Sequence, residues 1–195
     1  MTHHTDKLIH SFQQRTEAIL QKAIREWQML PTDNMSTAPA PGQWSLAQCL
    51  EHLNFYGQHY LPAIDSAIRT AKQQGSQPDK MFRPGLLGAY FTELMLPQQD
   101  GRLKKKMASP KNARPSVAPD PTKMLAEFIE QQERLLQLLE AARAVNLNKI
   151  RVPTSLSPLI RLKLGDTFGF LIAHLERHVL QAERSLLHTS RLELI

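Results

Sequence analysis

Hydrophobic residues recur every three to four positions in four long stretches of the chain, which is the pattern of amphipathic helices. The first predicted helix runs from about Asp6 to Met29, and proline-containing sequence follows it. The second begins at Ser45, the third begins after Asp120, and the fourth spans roughly residues 165–188. Four such helices without a recognisable β-hairpin predict an all-α fold of the four-helix-bundle class.

Two of these helices carry clear start signals. Ser45 and Gln48 match a capping box, in which each side chain binds the backbone N–H of the other residue. Asp120 precedes Pro121, which suits the first position of a helix because its missing N–H would have no partner there. Pro62 falls inside the second helix, where we expect a kink or a local break in the hydrogen bonding.

The connection between the second and third helices, residues 72–120, is irregular and contains six prolines. It is far longer than the usual loop between helices, so we expect a crossover that spans the bundle, a functional lid, or both. A short apolar helix is predicted inside it, over residues 85–96. The chain of 195 residues is in the size range of one domain, and we predict a single domain over residues 1–195.

Positive charge is concentrated in this crossover. The formal net charge is +6, and segment 102–114 alone holds six basic residues and no acidic one. A single basic loop without interleaved aromatic residues is a weak signal for nucleic-acid binding. The segment is either a solvated loop or a lid that attracts an anionic small molecule.

Membrane and secretory features are missing from the sequence. No run of about 18 apolar residues exists, so we expect no transmembrane helix. The first residues lack the apolar core and cleavage site of a secretory signal. Cys49 is the only cysteine, which excludes an internal disulfide and fits a reducing cytoplasm. We interpret Cys49 as a small core residue, because its apolar neighbours are not typical of a reactive thiol.

Histidines supply the candidate chemistry. His174 and His178 lie four residues apart on the fourth helix, where side chains are neighbours, in or beside its apolar stripe. Two imidazoles directed at the interior need a metal, acids or backbone carbonyls as partners. A catalytic metal site usually has three protein ligands, and His52 and His59 on the second helix compete to supply the third. Exposure is the ordinary state of such flank positions. The other histidines lie near the chain ends, where we expect exposure and no role: His3, His4, His10 and His188.

Two segments resemble a known family. Residues 44–53, WSLAQCLEHL, are similar to the start of the second helix in DinB-like proteins, and residues 174–184, HLERHVLQAER, are similar to part of their fourth helix. The resemblance implies a four-helix bundle of up-down-down-up topology, with the long crossover between helices 2 and 3. It also implies a divalent metal, commonly nickel or zinc, bound by His52, His174 and His178. The residues that fit the two motifs are Trp44, Ser45, Gln48 and His52, then His174, Arg177, His178 and Gln181.

Such a centre suggests an enzyme. Three neutral imidazoles with an open position suit zinc, nickel or a related ion, which can act as a Lewis acid or keep a thiol deprotonated. By resemblance, the protein is expected to be a thiol-dependent S-transferase or a hydrolase of a small molecule. Its partner would be a low-molecular-weight thiol or an anionic compound, and pairing into a homodimer is expected.

Three further side chains are candidates for supporting roles at this centre. Tyr56 lies one turn after His52 and is a candidate proton donor or orienting group, with a core aromatic as the alternative. Gln48 and Gln181 are candidates for fixing a histidine tautomer. The acids that adjoin the histidines in sequence project away from them, and we expect both to be solvated: Glu51 and Glu176.

Two other hypotheses remain open at this point. In the first, the protein is a non-catalytic metal-binding bundle or stress-response binding module whose histidines tie two helices together. A structural site tends to be closed by a fourth protein ligand, whereas a catalytic one keeps a position open, so the place of His59 separates the two. In the second, no metal binds, the histidines pack in the core, and the basic loop binds an anion or a partner.

Overall fold

The structure, a computed structural model, describes residues 2–98 and 108–192, with side chains as far as residue 187. The described part of the chain is mostly helical. Two short 3₁₀ turns, Trp27–Met29 and Lys111–Ala113, accompany the α-helices. The six α-helices of this part are α1 (Thr5–Arg25), α2 (Thr32–Ser36), α3 (Leu46–Gln73), α4 (Leu86–Met95), α5 (Pro121–Ala142) and α6 (Leu164–Leu192).

The predicted helix starts are confirmed by their caps. At the start of α3 the Ser45 hydroxyl accepts from the Gln48 N–H at 3.3 Å, and the Gln48 side chain accepts from the Ser45 N–H at 3.0 Å. At the start of α5 the Asp120 carboxylate accepts from two backbone N–H groups of the first turn. Helix α3 continues through Pro62 without interruption. The helices of the described chain thus begin where the sequence pattern predicts them. Local sequence signals therefore determine where these helices start.

The prediction that the chain lacks a β-hairpin is wrong. Strand β3 (Arg151–Pro153) pairs with β4 (Arg161–Lys163) in antiparallel register, with Val152 opposite Leu162 and both side chains buried. Each strand has only three residues, too few for an alternating pattern to stand out in the sequence. A second small ladder joins β1 (His3–His4) to β2 (Met81–Phe82), so the start of the chain is tied to the crossover.

Four long helices, α1, α3, α5 and α6, pack around a common hydrophobic core, which confirms the prediction of a mainly helical fold with four long helices. Helices α1 and α3 each pack against both α5 and α6. Among the side chains that fill the space between them, the largest fully buried ones include Trp27, Tyr60, Phe128 and Phe168. Burying aromatic side chains of this size is a main source of stability in such a core.

Polar side chains connect the long helices along their edges. Arg15 of α1 forms two 2.6 Å hydrogen bonds with the carboxylate of Glu176 on α6, so Glu176, which was expected to be solvated, is paired and only partly exposed. The reason is that α1 packs against α6 at this edge and supplies a cation. Further pairs join α1 to α6 and α3 to α5: Lys22 with Glu183, Gln58 with Glu127, and Asp65 with Arg134.

The crossover packs its own short helix, α4, against the start of α6. The predicted helix over residues 85–96 is confirmed as Leu86–Met95. Gly88 faces the Asp166 side chain so closely that a Cβ atom at this position would overlap it. The Gly85 N–H donates to the Asp166 carboxylate at 2.9 Å, and burial raises the pKa of that carboxyl group. No helix within residues 2–98 and 108–192 combines the length and apolar character needed to cross a membrane.

Candidate metal centre

Three buried histidines from two helices meet inside the bundle. His52 of α3 and His174 and His178 of α6 are 3%, 3% and 8% exposed. The Nε2 atoms of His52 and His174 lie 3.2 Å apart, and one ring nitrogen from each residue can be chosen so that all three lie within 4.8 Å of one another. The three rings thus converge on one point, and their nitrogens are close enough to share a metal ion.

The packing of α3 against α6 decides which histidine of α3 takes part. His52 lies at the flank of the apolar stripe of α3, a position that is ordinarily exposed, and it is buried here because α6 covers this flank. His59, two turns later, does not belong to the group. Its ring instead packs edge-on against Tyr60, with ring centroids 4.8 Å apart. Within the described residues, no fourth histidine, cysteine or acid completes the group.

The other histidines lie outside this centre. His3, His4 and His10 are exposed, in agreement with the expectation for the chain ends. The side chain of His188 lies outside the described residues. The sequence pattern therefore identified His174 and His178 as neighbours on α6. The packing of α3 against α6 then brings His52, and not His59, to them.

Hydrogen bonds define which ring nitrogens carry protons in two of the three residues. His52 Nδ1 lies 2.6 Å from the Ala113 carbonyl oxygen, and His178 Nδ1 lies 3.0 Å from the Gln181 side-chain oxygen. Both oxygens only accept, so each Nδ1 donates and each neutral ring keeps its lone pair on Nε2. The predicted role of Gln181 in fixing a tautomer agrees with this contact. Such outer contacts orient metal-binding histidines in many proteins.

The rings are also held in the neutral form. Burial lowers the pKa of all three histidines, well below the usual value for His174 and to about 3 for His178. The positive charge of Arg177 lowers the pKa of His174 and His178 further. At neutral pH the centre therefore presents uncharged imidazoles with available lone pairs, the form that binds metals.

These features fit a divalent metal ion. Within the described residues, the His174 Nδ1 atom is buried and lacks a hydrogen-bond partner, so the isolated cluster is not a fully satisfied polar network. Three neutral imidazoles form a donor set that suits zinc, nickel and related first-row ions. The residues can therefore hold such an ion.

Two aromatic side chains enclose the cluster. The Tyr56 ring lies 4.4 Å from His174 and 5.1 Å from His52 between centroids, and burial raises the pKa of its hydroxyl to about 12. The Trp44 ring stacks on His178 at 5.8 Å and lies 4.9 Å from His52. Trp44 fits the family motif, but the sequence pattern gave no indication that its ring covers the histidines.

A cavity of about 700 Å³ lies beside the three histidines. Tyr56 and Trp44 form part of its wall, so the cluster is next to space that can admit a small molecule. The described residues that line it include three arginines and no aspartate or glutamate. None of these arginines was predicted as a site residue, although one of them, Arg177, fits the family motif. The three are Arg114, Arg177 and Arg184.

The end of the crossover is fastened to the first two turns of α3. The Glu51 carboxylate accepts from the Ser116 N–H at 2.7 Å and from its hydroxyl at 2.9 Å, so Glu51, which was expected to be solvated, is partly exposed and also bound to the crossover. Gln48 donates to the Ser116 carbonyl oxygen at 3.0 Å, beyond its role in the cap. These bonds hold the chain where the Ala113 carbonyl meets His52. We call residues 108–117 the strap.

The basic segment predicted over residues 102–114 is described only in part. Residues 102–107 lie outside the described residues. Lys111 is exposed, while Arg114 reaches the cavity wall. Cys49 is fully buried, and burial raises the pKa of its thiol to about 12, which agrees with its interpretation as a core residue.

A comparison with protein families agrees with the two motifs. The sequence profile of the DinB superfamily matches residues 13–182, which include all three clustered histidines. No curated protein matches the chain. Among solved structures, the chain is similar to YfiT from Bacillus subtilis, described as a probable metal-dependent hydrolase with an unusual four-helix bundle topology. The two are 15% identical, with 97% of this chain and 87% of that chain covered and a TM-score of 0.48.

Proposed function

The chain belongs to the DinB superfamily, and we propose that it is a metal-dependent enzyme acting on a small molecule. In this proposal His52, His174 and His178 bind one divalent ion, nickel or zinc. The observation that carries it is the convergence of three buried, neutral imidazoles beside a cavity of about 700 Å³. A cavity of this volume is in the range that accepts small-molecule ligands.

The proposed reaction classes are thiol-dependent S-transfer and hydrolysis. When bound, the ion would supply a Lewis acid and favour the deprotonated form of a thiol or of water. The chain's own residues orient the ligands, with the Ala113 carbonyl holding His52 and the Gln181 side chain holding His178. A low-molecular-weight thiol or an anionic compound is the proposed substrate.

Tyr56 is the proposed catalytic helper. Its ring packs against two of the three histidines and lines the cavity. Because the pKa of its hydroxyl is raised to about 12, the group keeps its proton at neutral pH. It would therefore act as a hydrogen-bond or proton donor to a bound substrate and not as a base.

The rival function, a non-catalytic metal-binding bundle, is less well supported. A structural metal site is usually closed by a fourth protein ligand. His59 was the candidate for that role, and it lies outside the cluster. Open space borders the histidines instead, as the enzyme hypothesis requires.

We also propose one domain over residues 1–195 with helices α1, α3, α5 and α6 running up, down, down and up. The order of contacts supports this topology: Arg15 and Lys22 of α1 meet Glu176 and Glu183 in the same order along α6, as expected for parallel helices. Contacts between α3 and α6 run in opposite order, since His52 meets His174 whereas Tyr60 meets Phe170. A cytoplasmic location and a homodimer are likewise proposals.

Metal content tests the central proposal. Untagged protein, never exposed to a nickel column, is analysed by elemental mass spectrometry beside His178→Ala and, as a matched control on α3, His59→Ala. We expect about one nickel or zinc ion per chain in the wild type and the control, and loss of that ion in His178→Ala. Metal-free protein that takes up neither ion on titration would overturn the proposal.

The reaction class is tested on the metal-loaded protein. Conjugation of low-molecular-weight thiols to electrophiles and hydrolysis of small esters and amides are measured for wild type and Tyr56→Phe. We expect one of these activities, with a lower kcat and unchanged metal content in the variant. A fully loaded protein that is inactive in both assays would favour the non-catalytic alternative.

A further inference from the structure

The residues of the described chain that line the cavity beside the histidines give it a positive charge. Arg114, Arg177 and Arg184 line it, and the lining includes no acidic residue within the described part of the chain. The candidate metal-binding group consists of three histidines and, within the described residues, includes no acid. It therefore offers a metal no negative charge.

A bound divalent ion would make this imbalance larger. It would add two positive charges next to Arg177, whose side chain belongs to a residue that is only 5% exposed. Charges of one sign in a cavity with low-dielectric walls focus the electric field and concentrate ligands of the opposite sign. The site therefore favours a ligand that brings negative charge.

The three arginines are not equivalent in position. Arg177 adjoins His178 in sequence and is buried near the cluster. Arg184 lies six residues after His178 on α6, which is about 9 Å along the helix axis. Arg114 directly follows Ala113, the residue that holds His52, and both Arg114 and Arg184 are exposed. The two exposed residues thus lie at the outer part of the cavity, away from the buried histidines.

We propose that the substrate carries a carboxylate or phosphate group separate from its reacting group, and that Arg114 and Arg184 bind this anionic group at the cavity mouth. The inference rests on the proposed function, because it places the reacting group at the histidine cluster. Guanidinium groups suit the role, since their forked N–H donors match the oxygens of carboxylates and phosphates. The Arg114 Nε–H donates to the Ser109 carbonyl oxygen at 3.5 Å, and its terminal nitrogens supply further donors.

Tryptophan fluorescence provides a readout that needs no turnover. The chain has two tryptophans, and Trp27 is buried in the core at 1% exposure, whereas Trp44 lines the cavity. Full-length protein, metal-free and zinc-loaded, is titrated with glutarate, inorganic phosphate and the uncharged glutaramide. The glutarate and phosphate titrations distinguish carboxylate from phosphate recognition, and glutaramide measures uncharged binding.

We expect saturable binding of at least one anion and none of glutaramide at the same concentrations. The double variant Arg114→Gln/Arg184→Gln should bind that anion at least tenfold more weakly, since hydrogen bonds to charged groups are among the strongest in proteins. Arg69→Gln is the matched control, because Arg69 is an exposed arginine of α3 paired with Asp65 and not part of the cavity wall. Equal melting temperatures verify that the variants are folded.

Two results would overturn the proposal: no saturable binding of either anion, or equal anion affinity in the wild type and the double variant. Titration of the metal-free form reports on the arginines alone, whereas metal content reports on the histidines. A protein that binds anions through the arginines but takes up no metal would therefore contradict the proposed enzyme function and not the anion site. A metal-loaded protein without anion binding would contradict the anion site alone.

Discussion

The Nε2 atoms of His52 and His174 lie 3.2 Å apart, although 122 positions separate the two residues in the sequence. His52 donates from Nδ1 to the Ala113 carbonyl, so its Nε2 is an acceptor in the neutral ring. The proton between the two rings therefore belongs to His174 when no metal is bound. A metal that binds both Nε2 atoms would require this proton to move to His174 Nδ1, so the ring would change its tautomer without releasing a proton to solvent.

Removal of His174 should abolish metal binding while removal of His59 should not. His174→Ala leaves two ligands on different helices, and we expect zinc affinity to fall by at least two orders of magnitude, since three ligands become two. Competition with a chromophoric chelator measures this affinity. His59→Ala, with the ring outside the cluster, serves as the control. Equal affinity in the two variants would contradict the assignment of the centre.

Stability of the metal-free protein should decrease below pH 6.5. The folded-state pKa of each clustered histidine lies below the unfolded value of about 6.5, and that of His178 is about 3. The unfolded chain therefore binds more protons in this window, and the free energy of unfolding falls as the pH falls. For His178, whose folded-state pKa is about 3, the expected loss is about 1 kcal/mol between pH 7 and 5.5.

Urea unfolding in the presence of a chelator measures this pH dependence. His178→Ala should lose the part of it that His178 contributes, about 1 kcal/mol, because that neutral buried imidazole is gone. His10→Ala, at an exposed position of α1, should keep all of it. A metal-free wild type with the same stability at pH 7 and pH 5.5 would show that the three rings are not held neutral in the fold.

Loosening the strap should weaken metal binding, because the strap holds the Ala113 carbonyl that orients His52. Ser116→Ala removes the hydroxyl that donates to Glu51, which loosens residues 108–117 and the Ala113 carbonyl that orients His52. Loss of such outer contacts typically weakens metal binding 10–100-fold, and we expect about 10-fold because the Ser116 N–H to Glu51 remains. Gln58→Ala, on the same helix but bonded to Glu127, is the matched control. An effect of equal size in both variants would point to general loosening of α3.

The contact between α4 and α6 should not tolerate a larger residue at Gly88. A methyl group there would overlap the buried Asp166 side chain, so Gly88→Ala should destabilise the fold by about 1–3 kcal/mol. Thermal unfolding measures the change. Ala89→Ser alters the neighbouring exposed position and should be close to neutral. A stabilised Gly88→Ala variant would show that α4 does not pack against Asp166 as described.

Cys49 should react with a thiol reagent only after unfolding. The residue is fully buried and the pKa of its thiol is raised to about 12, so almost no thiolate forms at neutral pH. Reaction with Ellman's reagent should be absent in native buffer and stoichiometric in denaturant. Rapid reaction of the native protein would contradict the core position of Cys49.

The sequence by itself determined the long helices and part of the centre, because these depend on interactions within one or two helical turns. The Ser45 capping box, the Asp120 cap and the neighbouring positions of His174 and His178 are all local features. The family motifs predicted His52 as the third member of the group, which neither spacing nor periodicity distinguished from His59. The short β3–β4 hairpin went unpredicted, because three-residue strands carry too little pattern.

The tertiary structure alone decided what surrounds these residues. His52 is buried because α6 covers the flank of α3, and its tautomer is set by the Ala113 carbonyl, 61 positions away. The charge of the cavity likewise depends on Arg114 and Arg184, which come from the crossover and from the outer half of α6. Such contacts join distant parts of the chain and depend on how whole helices pack, so no local pattern in the sequence encodes them.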